Sequence, residues 1–292
     1  MAFEHRQLGA TISLASGTFT EGGNQAKLPD GLRMSANIEH AGGHSDGTLD
    51  LVIYGMARSL MNQLSTLGMQ INLVPKNPIT LTAGTAGKMS TAFNGYIIAA
   101  YADYNASPEV AFHISAHTLG AFAAAPADPT SFRGTVPVAT ILSGLATKMG
   151  MRFENNGVTT TLSNQYLSGS LRDQARAAVK AAGISWNAGE LGVLAIWPKN
   201  QSRNNGQIPL IASPPEGGMI GYPTYTAYGI MLQNLYDPTI GLGQKIKVKS
   251  SVLTTGEWAT YGLSHRLESE TLNGKWQSTI LAYNPKHPTP VR

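Results

Sequence analysis

The chain contains no cysteine. Without a thiol there is no Cys nucleophile, no Cys-ligated zinc site and no disulfide framework, and folding inside the cell is expected. Charge is also scarce, since Asp, Glu, Lys and Arg make up 13% of the 292 residues, against about a quarter in a typical domain. The surface is therefore covered mostly by Ser, Thr, Asn, Gln and Gly. Such a surface suits a subunit that buries much of itself against other subunits, because charge is depleted from interface cores, and it equally suits a neutral secreted β protein. No run of about 18 apolar residues occurs anywhere, and the opening Met1-Ala2-Phe3-Glu4-His5-Arg6 has no apolar signal core. Neither a membrane span nor signal-peptide export is expected.

What charge there is lies thinly spread. The net charge is +4, with Lys+Arg against Asp+Glu at 6 to 8 over residues 1–118, 8 to 4 over 119–203 and 7 to 5 over 204–292. A nucleic-acid footprint would need clustered cations on one face. Lys245, Lys247 and Lys249 alternate with Ile246 and Val248, which predicts one solvated strand face. Hydrophobic residues make up 42%, enough for a sizeable core, and the length is a soft prior for two domains.

Residues 8–118 alternate β-like runs with turn signals: Thr11–Leu14, Leu32–Ile38, Thr48–Tyr54, Ile79–Thr82, Phe93–Tyr101 and Val110–Ala116. This predicts mostly antiparallel sheet. One helix interrupts it, with Met56, Leu60, Leu64 and Leu67 at helical spacing and Gly68 as its cap. Between Leu119 and Pro137 an Ala/Pro/Asp texture reads as a linker and domain boundary. A helix follows with Val138, Ile141, Leu142, Leu145 and Met149 on one face, then a β segment Val158–Tyr166. Ser170 is the expected N-cap of a second helix, Asp173 completes an acidic capping box, and Gly183 stops it before a strand Gly192–Trp197. Residues 130–200 thus form a small α/β or α+β unit. From Gly206 the β texture returns, and Asn273-Gly274 signals a hairpin. The Pro-rich tail Asn284–Pro290 is expected to be extended.

Gly43-His44-Ser45-Asp46-Gly47 matches the G-x-S-x-G nucleophile elbow, with Asp237 and His265 as the partners that chain order would supply. The elbow needs an apolar strand before Ser45 and a helix after it. Here the preceding Asn37-Ile38-Glu39-His40-Ala41 is polar and Thr48–Tyr54 reads as a strand, so a hairpin loop is the preferred reading. His40/His44 and His113/His117 are each four apart, yet neither pair has a zincin Glu or a third ligand that can be named. Gly84-Thr85-Ala86-Gly87-Lys88-Met89 lacks the spacing and the Ser/Thr of a phosphate loop, and Gly241-Leu242-Gly243 lacks the third Gly of a dinucleotide fingerprint. Trp186, Trp197, Trp258 and Trp276 sit at strand edges, and core positions are preferred to sugar platforms. No catalytic residue, metal or cofactor is assigned. A serine hydrolase using Ser45 and a carbohydrate-binding β module using exposed Trp remain the alternatives.

Three segments resemble the baseplate hub family of long-tailed, especially contractile-tailed, bacteriophages. They are Leu167–Gln174 with Ala181–Trp186; Leu194–Pro198 with Ile208–Ile211 and Gly218–Thr224; and Tyr236–Val248 with Trp258–Leu267 and Gly274–Trp276. The order of these segments over about the last 125 residues carries the match, and the N-terminal half agrees in texture only. The resemblance implies a mainly β fold with an α+β insertion: two tube-like antiparallel β-barrel domains at 1–118 and 204–292, and a linker with a small α/β domain at 119–203. It implies a homotrimer forming a pseudo-sixfold ring, a symmetry adaptor between the sixfold tail tube and the threefold central spike. Expected partners are the tail tube or distal tail protein, the spike, the tape measure protein and other baseplate subunits. DNA would pass through the lumen without sequence-specific binding. The expected location is the virion tail baseplate, after assembly in the host cytoplasm. The Lys245-Lys247-Lys249 face would line either the lumen or a subunit contact.

Overall fold

Alternation of buried and exposed side chains sets most of the backbone of this chain. The computed structural model describes residues 5–15, 17–19, 22–41, 46–65, 77–105, 107–204, 206–251 and 256–285. Contacts divide it into two units, Met1–Glu39, Gly47–Ala124 and His265–Trp276 in the first, and His40–Asp46, Ala125–Ser264 and Gln277–Arg292 in the second.

The first unit contains β1 (Arg6–Ser13), β2 (Gln25–Lys27), most of β3 (Met34–Ala41), β4 (Thr48–Tyr54), α1 (Arg58–Leu64), β5 (Pro78–Thr85), β6 (Lys88–Asp103), β7 (Ala111–His117) and α2 (Gly120–Ala124). The strands pair antiparallel in the order β3-β4-β7-β6-β5-β1-β2. Every second residue of β4 points inward, so Leu49, Leu51 and Ile53 join Ile12, Ile79, Leu81, Phe93 and Phe112 in a fully buried core. The predicted Thr48–Tyr54 strand has the observed bounds. Others run longer than their apolar pattern, because backbone pairing continues into polar residues; β5 and β6 stay paired to Thr85↔Lys88. In α1 the buried residues are Met61 and Leu64; Met56 precedes the helix, and Leu67 and Gly68 lie outside the described residues.

The second unit contains β8 (Thr130–Ser131), β9 (Thr135–Pro137), α3 (Val138–Lys148), β10 (Arg152–Asn155), β11 (Thr161–Ser163), β12 (Tyr166–Leu167), α4 (Leu171–Ala182), β13 (Ser185–Ala188), β14 (Val193–Trp197), β15 (Leu210–Ala212), β16 (Met219–Thr226), β17 (Gly229–Leu235), β18 (Lys245–Lys249), and most of β19 (Gly256–Ser269) and β20 (Trp276–Tyr283). A three-stranded sheet, β10-β14-β13, has every residue of β14 buried. The buried stripe of α3 (Val138, Ile141, Leu142, Leu145) matches the predicted periodicity, and α4 buries Ala175, Ala178 and Val179. The Ser170–Asp173 capping box and the left-handed Gly183 cap (φ 61°) stand where the sequence puts them. The part of the chain's large sheet in this unit runs β16-β17-β20-β19, with β18 beside β19 and β15 parallel to β18. It closes over Ile211, Ile230, Leu232, Ile246, Val248 and Ile280.

Two local expectations need correction. The segment Val158–Tyr166 is not one strand: Asn164 turns left-handed (φ 50°), so β11 pairs with β9 and β12 with β8. The stretch 119–137 is not a bare linker either, since Leu119 and Ala121 are buried and Thr130–Ser131 and Thr135–Pro137 find strand partners. Short polar segments of this kind gain structure from ladder hydrogen bonds that no hydrophobic pattern announces. Among the described residues, neither sheet closes into a barrel and no helix is long and apolar enough to cross a membrane. Most of the Pro-rich tail, from Lys286 on, lies outside the described residues.

Candidate functional site

The catalytic-looking motifs resolve into backbone geometry. Strands β3 and β4 pair antiparallel up to Glu39↔Thr48, so the G-x-S-x-G letters join two strands and no helix follows. Gly43, His44 and Ser45 themselves lie outside the described residues. Asp46, with a side chain only 6% exposed, is held by Arg172 at 3.1 Å and Arg176 at 2.9 Å. These arginines stand one turn apart on α4, the spacing that puts two side chains on one helix face. Asp237 accepts hydrogen bonds from the Thr239 amide (2.9 Å) and hydroxyl (2.7 Å), closing its own turn. His265 is buried on β19. Asp237 belongs to the second unit and His265 to the first.

The two histidine pairs differ in what the structure describes. His113 and His117 lie on β7, where four residues span about 13 Å, too far for two imidazoles to share an ion. His113 instead stacks on Tyr101 at 4.9 Å and 9°. His40 is buried on β3, and its partner His44 lies outside the described residues. Among the described residues no group of three or more His, Asp or Glu could hold a metal.

The glycine motifs also have packing causes. A Cβ on Gly84 would collide with the Lys88 carbonyl oxygen across the β5–β6 hairpin. Gly243 adopts φ +77°, and a Cβ there would come within 2.6 Å of the Trp197 ring. Trp186, Trp197 and Trp276 are buried, and Trp258 packs half-buried against the second unit's core. On β18, Ile246 and Val248 point inward, while Lys245 pairs with Glu257 (3.3 Å) and Lys249 with Glu216 (2.7 Å). The lysine face is thus solvated and partly neutralised by acids.

One ion pair stands out, its arginine buried and its acid half-buried. Arg203, with a side chain 9% exposed, forks onto Glu154 through Nε (3.2 Å) and Nη2 (2.9 Å), while Asn156 donates to the same carboxylate at 2.8 Å. Burial pushes the Glu154 carboxyl up; the hydrogen bonds from Arg203 and Asn156 and the charges of Arg203 and Arg152 outweigh it and leave the carboxyl below its ordinary value. Every partner of this network is internal to the second unit.

The feature that sequence inspection missed is a face without charge. No residue of β16, β17 or β20 is Asp, Glu, Lys, Arg or His. Ile220, Tyr222 and Tyr225 on β16 and Met231 and Leu235 on β17 are all exposed, the two tyrosines by 65% and 69%. The signal was present in the primary structure as a charge-free run from Gly217 to Tyr236. Its meaning depends on β16 lying at the end of the sheet order. Ile220 pairs with Gln233 on the side that carries Met231 and Leu235, whereas Tyr225 pairs with buried Ile230 on the other side; exposed apolar, uncharged surface of this kind is what protein interfaces are made of. Gly221 (φ 70°), a register shift between Ile220 and Thr224, and Pro223 break the regular edge of β16. That edge cannot offer a continuous ladder to another strand, so recognition there falls to side chains.

Comparisons with known proteins agree with an assembly role. A family model described as "Baseplate hub gp41" matches residues 11–276. Among curated proteins no sequence match is found. The fold is similar to the 43 kDa tail protein of prophage MuSo2 from Shewanella oneidensis, with 10% identity, 97% of each chain covered and a TM-score of 0.58. It is similar to the tail protein of Neisseria meningitidis MC58 at 10% identity, 95% and 96% coverage and a TM-score of 0.57. A third similar structure is the E. coli c3393 protein, a component of the type VI secretion system with structural similarity to the T4 phage tail proteins gp27 and gp5. There the identity is 10%, the coverage 90% of this chain and 75% of that one, and the TM-score 0.56.

Proposed function

Because the chain belongs to the Baseplate hub gp41 family, we propose that this structural phage tail protein works as a homotrimeric hub, which caps the tail tube and adapts its sixfold symmetry to a threefold central spike. The family match across residues 11–276 carries this reading. In it, each subunit supplies two tube-like β domains flanking the α/β segment 119–203, and three subunits make a pseudo-sixfold ring around a channel through which DNA leaves the virion. Closed rings satisfy sheet edges that would otherwise pair without control. Partners are the tail tube or distal tail protein, the spike, the tape measure protein and other baseplate subunits, met during assembly in the host cytoplasm. The hub carries out no chemistry and needs no cofactor; the strand that follows the Ser45 loop supports this.

Native mass measurement tests the proposal, on the protein alone and mixed with its tube and spike neighbours. A trimer in at least the mixed sample is expected; a strict monomer in every sample overturns it. The uncharged β16–β17 face supports an assembly role, so Tyr222→Asp with Tyr225→Asp is expected to weaken incorporation into tails while leaving the thermal midpoint of the free protein unchanged.

A further inference from the structure

A cleft of about 610 Å³ opens in the first unit, away from any motif discussed above. Three segments build it: the approach to β3 at Gly31–Arg33, the end of β4 running into α1 at Tyr54–Met61, and Tyr104 with Pro108–Val110 from the β6–β7 connection. The Tyr54 amide donates to the Arg33 carbonyl at 3.0 Å, which fixes the first two walls to each other. Met56 and Met61 are buried at the apolar base, and Tyr104 stands exposed at the rim. The charged groups lining it are Arg33, Arg58 and Glu109, a balance of +1.

Arg33 is the centre of this cleft. Its guanidinium carbon lies 3.8 Å from the centroid of the Tyr54 ring, a cation–π stack that holds the planar fork in one orientation. Its acidic partner is Glu109, bound end-on through Nη2 at 2.6 Å. The Nε is buried with no acceptor among the described residues, so the fork's two-pronged capacity for a carboxylate is not used. Glu109 is 64% exposed, and an exposed pair of this kind contributes little stability. It therefore occupies the arginine as a readily displaced internal carboxylate. Arg58 adds a second, exposed cation at the same cleft.

We propose that this cleft docks an acidic peptide segment of a partner protein, a carboxylate taking the place of Glu109 on Arg33 while a neighbouring apolar side chain enters over Met56 and Met61. Charge complementarity selects the acid. The methionine base selects a polypeptide over a nucleic acid, since methionine accommodates apolar side chains of varied shape and a phosphate track would need more cations. The inference does not depend on trimer formation or on the adaptor role.

Fluorescence anisotropy on the full chain tests it, with a labelled Leu-Glu-Leu-Glu-Leu peptide as probe and its Leu-Gln-Leu-Gln-Leu counterpart as control. The acidic peptide is expected to bind at least about tenfold more tightly, the difference one charge-assisted fork provides. Arg33→Leu should abolish that difference, and Arg33→Lys, which keeps the charge and the packing stem, should reduce it. Glu109→Gln should tighten binding, because it removes the internal competitor. Equal binding of the two peptides, or weaker binding by Glu109→Gln, overturns the proposal. Equal binding of an oligothymidylate of the same charge would assign the cleft to nucleic acid and overturn it likewise.

Discussion

Arg203 in the second unit and Arg33 in the first are the same side chain in opposite circumstances. Arg203 is nearly inaccessible, forks onto Glu154 with two nitrogens, and its own amide donates to the Gly243 carbonyl at 2.7 Å. Arg33 lies on a tyrosine ring, is 37% exposed, and touches its acid with one nitrogen. The difference lies in what each can release. Loss of Glu154 leaves the buried Arg203 without its acid, whereas Arg33 can exchange Glu109 for a carboxylate from outside.

The comparison can be broken most directly at Arg203. Arg203→Ala removes a buried two-nitrogen fork from the half-buried Glu154 carboxyl and is expected to cost about 2–3 kcal/mol, measured by urea unfolding. A loss no larger than that of Arg33→Leu would remove the distinction. Next comes the loop that supplies the Arg203 amide with its acceptor. Gly243→Ala forces a side chain onto a left-handed residue and against the Trp197 ring, and should cost about 2 kcal/mol in the same assay.

Acid sharpens the contrast further. The Glu154 carboxyl titrates below its ordinary value in the folded chain. The stability it contributes is therefore present above the unfolded value, about 4.3, and is lost as pH falls through the lower folded value. Glu154→Gln should cost about 1 kcal/mol at pH 7, and the gap to wild type should close below about pH 4. An unchanging gap from pH 7 to pH 3 would show that the pair is not the cause. The smallest stability effect belongs to Arg33→Leu, expected within about 1 kcal/mol of wild type, as for other exposed ion pairs.

These pairs also mark where sequence reading stops. Helix α4 was legible to the residue, because its signals are local: Ser170, Asp173 and Gly183 each act within one turn. Strand β4 was equally legible, since strict alternation of Leu49, Leu51 and Ile53 needs no knowledge of its neighbours. The four-residue spacing of Arg172 and Arg176 was visible too. Their acceptor Asp46 lies 126 and 130 residues away, and no pattern along the chain links them. The same holds for Arg33 and Glu109, 76 residues apart. Short strands such as β8 and β12 failed to show for a related reason: two residues cannot display a period, and their cause is the partner strand. The charge-free stretch from Gly217 to Tyr236 was plain in the letters, but only the placement of β16 at the end of its sheet order makes it an exposed face.

That interrupted edge bears on how the protein survives before it is used. A smooth, sticky rim would let free copies zip onto one another in open-ended rows, fibres that no virion could draw upon. Gly221 and Pro223 deny such rows the unbroken backbone they need. Exposed tyrosines and a backbone that templates no copy of itself thus share eight residues.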